Sequence, residues 1–152
     1  MDDKLDDKAI RDLATTLFGE LLAVEQLARA RVAKVLPKGM ELSQFLVLNH
    51  LATATSERTP AQLARSFHLT KGAMTNTLSK LEWAGWIHVR PDWEDARRKL
   101  VAISPSGRAA RDAALAGIGP IISGVVETVG EDRVRATLPA LRAMRSKLTQ
   151  LD

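Results

Sequence analysis

Residues 70–80 read Thr-Lys-Gly-Ala-Met-Thr-Asn-Thr-Leu-Ser-Lys. Met74, Leu78 and Leu81 recur at steps of four and three, the buried stripe of an amphipathic helix. Lys71, Gly72, Thr75, Asn76 and Ser79 then lie on the other side, a short polar set that allows close approach to a major groove. An asparagine amide pairs bidentately with adenine, and a threonine offers a hydroxyl or meets a thymine methyl. Thr70 is placed as the helix cap, and a helix N-terminus suits a phosphate. Gly72 weakens the helix but removes bulk where a backbone approaches DNA. A second group follows, with Asp92 and Asp95 just before Arg97 and Arg98. An arginine on a hairpin tip can enter a minor groove, and Asp95 is spaced to hold the guanidinium of Arg97. The candidate DNA-binding set is Thr70, Lys71, Gly72, Thr75, Asn76, Ser79, Lys80, Arg97 and Arg98, with Asp95 orienting the wing. The plainer alternative is a solvated polar face and a surface ion pair of little energy.

Other chemistry finds little support. The 152 residues contain no cysteine, which excludes disulfides, thiolate metal centres, a cysteine nucleophile and thiol redox switching. There is no tyrosine. His50, His68 and His88 fall on three different elements without an i,i+4 pair, so no metal or cofactor is expected. No nucleophile–base motif or glycine-rich phosphate loop is recognisable, and Asp92 with Asp95 on an exposed tip makes a poor catalytic pair. The chain does not read as an enzyme. Its net charge of +4 is unevenly spread. Residues 56–91 hold Arg58, Arg65, Lys71, Lys80 and Arg90 against Glu57 and Glu82, so the basic excess falls on the same segment as the polar helix. The start, Met1–Asp7, is acidic and polar, unlike a secretory leader, and no run of about 18 apolar residues is present. A cytoplasmic location without a membrane span is expected.

These groups need elements to hold them. Residues 8–36 read as one long helix, with Ile10, Leu13, Leu17, Leu21, Val24 and Ala28 in a stripe widened by Ala14, Phe18 and Leu22. So wide a stripe needs more than one partner. Pro37-Lys38-Gly39 ends it, and a second helix covers about 41–54. Thr59-Pro60 opens a short helix to about Phe67, His68-Leu69 makes a turn, and the polar helix runs over 71–84 until Gly85. Residues 86–90 and 99–103 form strands around the turn cluster 91–95. Ser104-Pro105-Ser106-Gly107 starts a helix expected to kink or break at Gly117, Gly119 and Pro120. A last helical stretch, 131–151, carries Val134, Leu138, Leu141, Met144, Leu148 and Leu151, and is expected in two pieces because of Pro139. The order helix–turn–helix–hairpin is a winged helix-turn-helix. The fold class is mainly α with a small β-hairpin wing. One domain spans 1–152, with a DNA-binding lobe at 41–103 and a helical dimerisation region at 1–36 and 104–152.

The chain resembles the MarR family of bacterial transcriptional regulators. The likeness begins at Met40–Leu48, continues through Thr59–Leu81 and Trp83–Ile87, and is most specific from Arg90 to Gly107, which looks like the family's Asp-x-Arg wing followed by a strand and a Ser-x-x-Gly helix start. The resemblance implies a homodimer in which the first helix and the last two pack on their two-fold mates. It implies double-stranded DNA as partner, on a pseudo-palindrome with half-sites about 34 Å apart. It also places Lys71, Thr75 and Asn76 in the major groove and Arg97 in the minor groove, and implies relief by a small aromatic or apolar effector, for which no residue announces a site. Oxidant sensing through cysteine is excluded. The chain departs from the family at Glu41, where a Ser or Thr cap is usual, and at Asn76, often arginine. It departs further at Trp93, commonly proline, and at the large Trp83 and Trp86 and the interruption Gly117–Pro120. The alternative is a winged-helix protein-interaction module that does not bind DNA.

Overall fold

The computed structural model describes residues 2–151, with side chains from Asp6 onward. Met1 and Asp152, the ends of the expected domain, lie outside the described residues, as do the side chains of the first four residues described, in the acidic start. The elements are α1 (Asp2–Ala33), α2 (Leu42–Thr53), α3 (Pro60–Ser66), α4 (Lys71–Trp83), β1 (Ile87–Pro91), β2 (Lys99–Ile103), α5 (Pro105–Val129) and α6 (Glu131–Thr149).

Local signals fix most boundaries. Pro37 disfavours helical geometry at Leu36, so α1 ends at Ala33 rather than 36, in tight turns from Lys34 N–H to Arg31 O and Val35 N–H to Val32 O. At the start of α3, Gln62 N–H donates to Thr59 Oγ1 (3.1 Å) and Thr59 N–H to Gln62 Oε1 (2.9 Å), a reciprocal capping box. The α4 helix stops as Gly85 was expected to stop it. Gly85 has φ of 76°, its N–H donates to Glu82 O, and Trp86 N–H donates to Leu81 O, which is a Schellman closure. The same closure ends α3, with His68 at φ of 51° in the position glycine usually fills.

The core is built by α2, α3, α4, the hairpin and the first half of α5. Phe45, Val47, Leu48 and Leu51 of α2 meet Leu63, Met74, Leu78 and Leu81, closed by Ile87, Val101, Ala114 and Ile118. β1 and β2 pair antiparallel from Ile87 with Ile103 to Pro91 with Lys99. Arg58 adds a further rung on Val101, with N–H to O distances of 3.1 and 2.7 Å. This ties the α2–α3 link to the wing.

Two expected helix breaks are absent. α5 runs unbroken through Gly117–Pro120, and α6 runs unbroken through Pro139. Gly119 lacks the Cβ that a following proline ring would press upon, which relieves the usual restriction before proline. At Pro139 the freed carbonyl of Arg135 sits on an exposed face and can be solvated. Gly117 has a packing reason, because a Cβ there would lie 2.8 Å from Val35 O. α6 ends at Thr149, so Leu151 falls beyond the helix. No unbroken run of about 18 apolar residues occurs, as read, yet α5 passes by length and composition alone as long and apolar enough to cross a membrane. Glycine and serine interrupt its apolar residues without making the helix polar.

At the head of α5, Ser104 is buried. Its Oγ accepts from Gly107 N–H (3.0 Å) and donates to Gly85 O (2.6 Å), and Ser106 Oγ donates to the same carbonyl (2.7 Å). Ser104→Ala removes a cap and a tertiary bond together. It is expected to cost about 2 kcal/mol, read from urea unfolding at fixed protein concentration. A variant as stable as wild type would show that this clamp contributes nothing.

Candidate nucleic-acid interface

α4 presents the side expected of it. Lys71, Gly72, Thr75, Asn76, Ser79 and Lys80 are exposed, while Met74, Leu78 and Leu81 are buried. Thr77 joins the buried side, its Oγ1 donating to Ala73 O (3.3 Å), a role the apolar pattern did not reveal. Thr70 caps α4 by accepting Ala73 N–H at 3.2 Å, which leaves its O–H free to donate outward. A Cβ on Gly72 would meet nothing within 4 Å, so no contact inside the chain demands glycine there.

The wing is shaped by its two aspartates. Asp95 Oδ1 accepts Arg97 N–H (3.1 Å) and Arg97 Nε–H (3.4 Å). Asp92 Oδ1 accepts Glu94 N–H (3.0 Å), and Asp92 Oδ2 lies 3.6 Å from Arg98 Nε. Asp92 thus does for Arg98 what Asp95 was expected to do for Arg97. The turn closes through Asp92 N–H to Arg98 O and Arg98 N–H to Asp95 O. At the wing's base, Arg90 donates to both carboxylate oxygens of Glu57, fixing the hairpin to the α2–α3 link.

Between α3, the head of α4 and the wing lies an open groove of about 510 Å³. Lys71 and Thr75 line one wall, Arg97, Arg98 and Lys99 the other, and Gln62 and Arg65 of α3 the floor. Among the described residues no carboxylate lines it. The groove therefore unites expected residues from two elements separated by more than a full strand. Arg65 and Lys99 were not among the candidates. Arg65 was visible only as one charge in a basic segment, and Lys99 as the first residue of a strand. Ser79 and Lys80 lie apart, in a separate hollow with Lys38, Trp83 and Trp86, and Lys80 Nζ donates to both oxygens of Glu41 (2.9 and 3.1 Å). Glu41 takes the capping position where the resemblance leads one to expect Ser or Thr, and its N–H donates to Gln44 Oε1 at 2.7 Å.

A second surface is apolar and uncovered. Ile10, Leu13, Phe18 and Val24 of α1, Ile122, Val125 and Val129 of α5, and Leu138 and Leu148 of α6 are exposed. Among the described residues α6 buries none.

Residues 38–98, from the loop before α2 to the wing tip, match the model of the MarR family. No curated protein sequence matches the chain. Solved structures share its fold. A MarR-family transcriptional regulator from Rhodococcus sp. RHA1 is 22% identical, with 87% of this chain and 94% of that one covered and a TM-score of 0.78. A mutant MarR from E. coli complexed with operator DNA is 23% identical, covering 85% and 93%, with a TM-score of 0.77. Bordetella bronchiseptica BpsR, whose DNA binding is regulated by 6-hydroxynicotinic acid, is 19% identical, covering 86% and 98%, with a TM-score of 0.76. The family resemblance and the winged fold read from the sequence are both borne out.

Proposed function

We propose that this chain, with its MarR-family match over residues 38–98, is a transcriptional regulator that binds a pseudo-palindromic duplex as a homodimer. The observation that carries the reading is the carboxylate-free groove, where Lys71, Arg65, Arg97, Arg98 and Lys99 face one space beside a short polar helix face. In this reading residues 41–103 form the DNA-binding lobe, and residues 1–36 and 104–152 pair the protomers in the cytoplasm. Thr75 and Asn76 read base edges, Thr70 and Lys71 hold phosphates, and Gly72 lets the backbone come close. Arg97, oriented by Asp95, enters the minor groove, with Arg98 beside it. Ser79 and Lys80 meet only the outer margin of the site, because Lys80 is engaged by Glu41. The operator-bound E. coli relative supports DNA as partner. BpsR supports relief by a small aromatic effector. A hollow of about 400 Å³ lined by Leu21, Leu141, Met144 and Leu148, with His68, Arg145 and Thr149 as its polar members, joins α1 and α6 to the α3–α4 turn, and suits a small aromatic or apolar effector that couples pairing to DNA binding.

The test is selection of bound duplexes from a random pool, followed by titration of the best site in increasing salt. With about 6–10 phosphate contacts, affinity is expected to fall roughly 10³–10⁵-fold between 50 and 200 mM salt. Asn76→Ala is expected to relax preference at one position in each half-site, by about 1–3 kcal/mol per position, while Arg97→Ala weakens all sequences alike and lowers the salt slope by about 2, one for each half-site. Salt-independent binding, or no duplex selected at all, would sink the proposal.

A further inference from the structure

The two faces of the wing carry different chemistry. Arg97, Arg98 and Lys99 look into the groove beside α4. The opposite face holds Trp93, Arg90 and Leu100, the last two directly paired across the strands, together with the carboxylates of Asp92 and Glu94. Trp93 is 85% exposed, although it is among the largest apolar side chains in the chain. Its position is nevertheless defined. The Arg90 guanidinium lies 5.7 Å from the ring centroid, and that guanidinium is itself held by Glu57 and by the carbonyl of Pro91 (3.1 Å). The backbone on either side of the ring is closed by the Asp92 bonds to Glu94 and Arg98.

A hairpin tip that enters a minor groove meets both of its walls. The arginines serve the wall next to α4. We propose that Trp93 serves the other wall, packing its ring on the deoxyribose edge just outside the half-site. The inference rests on the DNA-binding reading above. The charge arrangement favours sugar over phosphate, because Arg90 is neutralised by Glu57 and the exposed Glu94 adjoins the ring. A ring seated on the sugar edge fits best where the groove can widen, and pyrimidine–purine steps deform most readily. Trp93 therefore extends recognition to a flexible step in the flank.

The experiment compares the full-length protein with Trp93→Ala and Trp93→Phe on a duplex selected by the wild type. Trp93→Ala is expected to lose about tenfold in affinity at each half-site, the order of partly burying an apolar ring, and so about a hundredfold on the full site, and Trp93→Phe to retain most of it. The salt slope should not change, since the lost contact carries no charge. Hydroxyl-radical protection should vanish at the flanking sugars alone, and pools selected with Trp93→Ala should lose enrichment of pyrimidine–purine steps there. Unchanged affinity overturns the proposal. So does a salt slope that falls together with affinity, because that signals a collapsed wing and lost arginine contacts. Failure of the wild type to select any duplex defeats the DNA-binding reading itself, and this proposal with it.

Discussion

Gly107→Ala is expected to lower stability by about 3 kcal/mol, a loss of roughly 6–12 °C in melting temperature for a chain of this size. A Cβ at this position would sit 2.0 Å from Trp86 O, 2.8 Å from Trp86 C and 3.0 Å from Ile103 Cγ1. The first two atoms are backbone, at the junction where α4 turns into β1, so no rotamer change relieves them. The head of α5 would have to withdraw. Withdrawal stretches the bonds from Ser104 and Ser106 to Gly85 O, each contributing about 1 kcal/mol in addition to the overpacking. Gly72→Ala is the control, because its added Cβ meets open space on a helix face and should stabilise by about 0.5–1 kcal/mol. Chemical denaturation at one protein concentration measures both. Equal stability of Gly107→Ala and wild type would mean that α5 does not approach the wing as closely as described. The consequence reaches the DNA-facing surface, since the same junction sets the angle between α4 and the hairpin.

What the sequence reveals here are features whose cause is local. Thr59-Pro60 with Gln62, Thr70, Gly85 and Ser104 each satisfy orphan helix-end groups within a few residues, so the starts of α3, α4 and α5 and the stop of α4 can be read directly. The buried side of α4 follows from Met74, Leu78 and Leu81 in the same way. Features that depend on a distant partner are not legible. Gly117 looks like a helix breaker until Val35 is found against it, and Gly107, read as part of a helix start, gives no sign that the Trp86 backbone lies against it. Pro120 and Pro139 look like interruptions because the pattern rule ignores what lies around the ring. At the candidate site, the cations are countable but their engagement is not. Lys80 pairs with Glu41 and Arg90 with Glu57, across 39 and 33 residues, whereas Arg65 and Lys99 reach the groove. Of the five cations in the basic segment 56–91, only Arg65 and Lys71 line the groove, and its other cations, Arg97, Arg98 and Lys99, lie beyond that segment.

The largest effect is expected where the protomers are proposed to meet. Leu13 is 70% exposed on α1 and Val125 59% exposed on α5, each within a stripe that the single chain leaves open. Ile122, Val125 and Val129 continue the line of Ala114 and Ile118, which are buried, so α5 passes from the core of one chain onto a surface of the same apolar character. Such a surface is stable in water when another apolar surface covers it. Two glutamates, Leu13→Glu with Val125→Glu, place unpaired charges where that cover would sit, and a charge buried without a partner is far more costly than the contact it replaces. Inside the single chain the same positions face solvent, so helix content should be preserved while the dimer is lost. Sedimentation should report a monomer. Affinity for a two-half-site duplex should then fall about 10²–10⁴-fold, because the second half-site is no longer held at high effective concentration. Affinity for an isolated half-site, already weak, should be nearly unchanged. A double variant that still sediments as a dimer and binds the full site like wild type would show that α1 and the end of α5 are not the pairing surface. One that sediments as a monomer yet binds the full site undiminished would show that pairing is not what gives the protein its affinity.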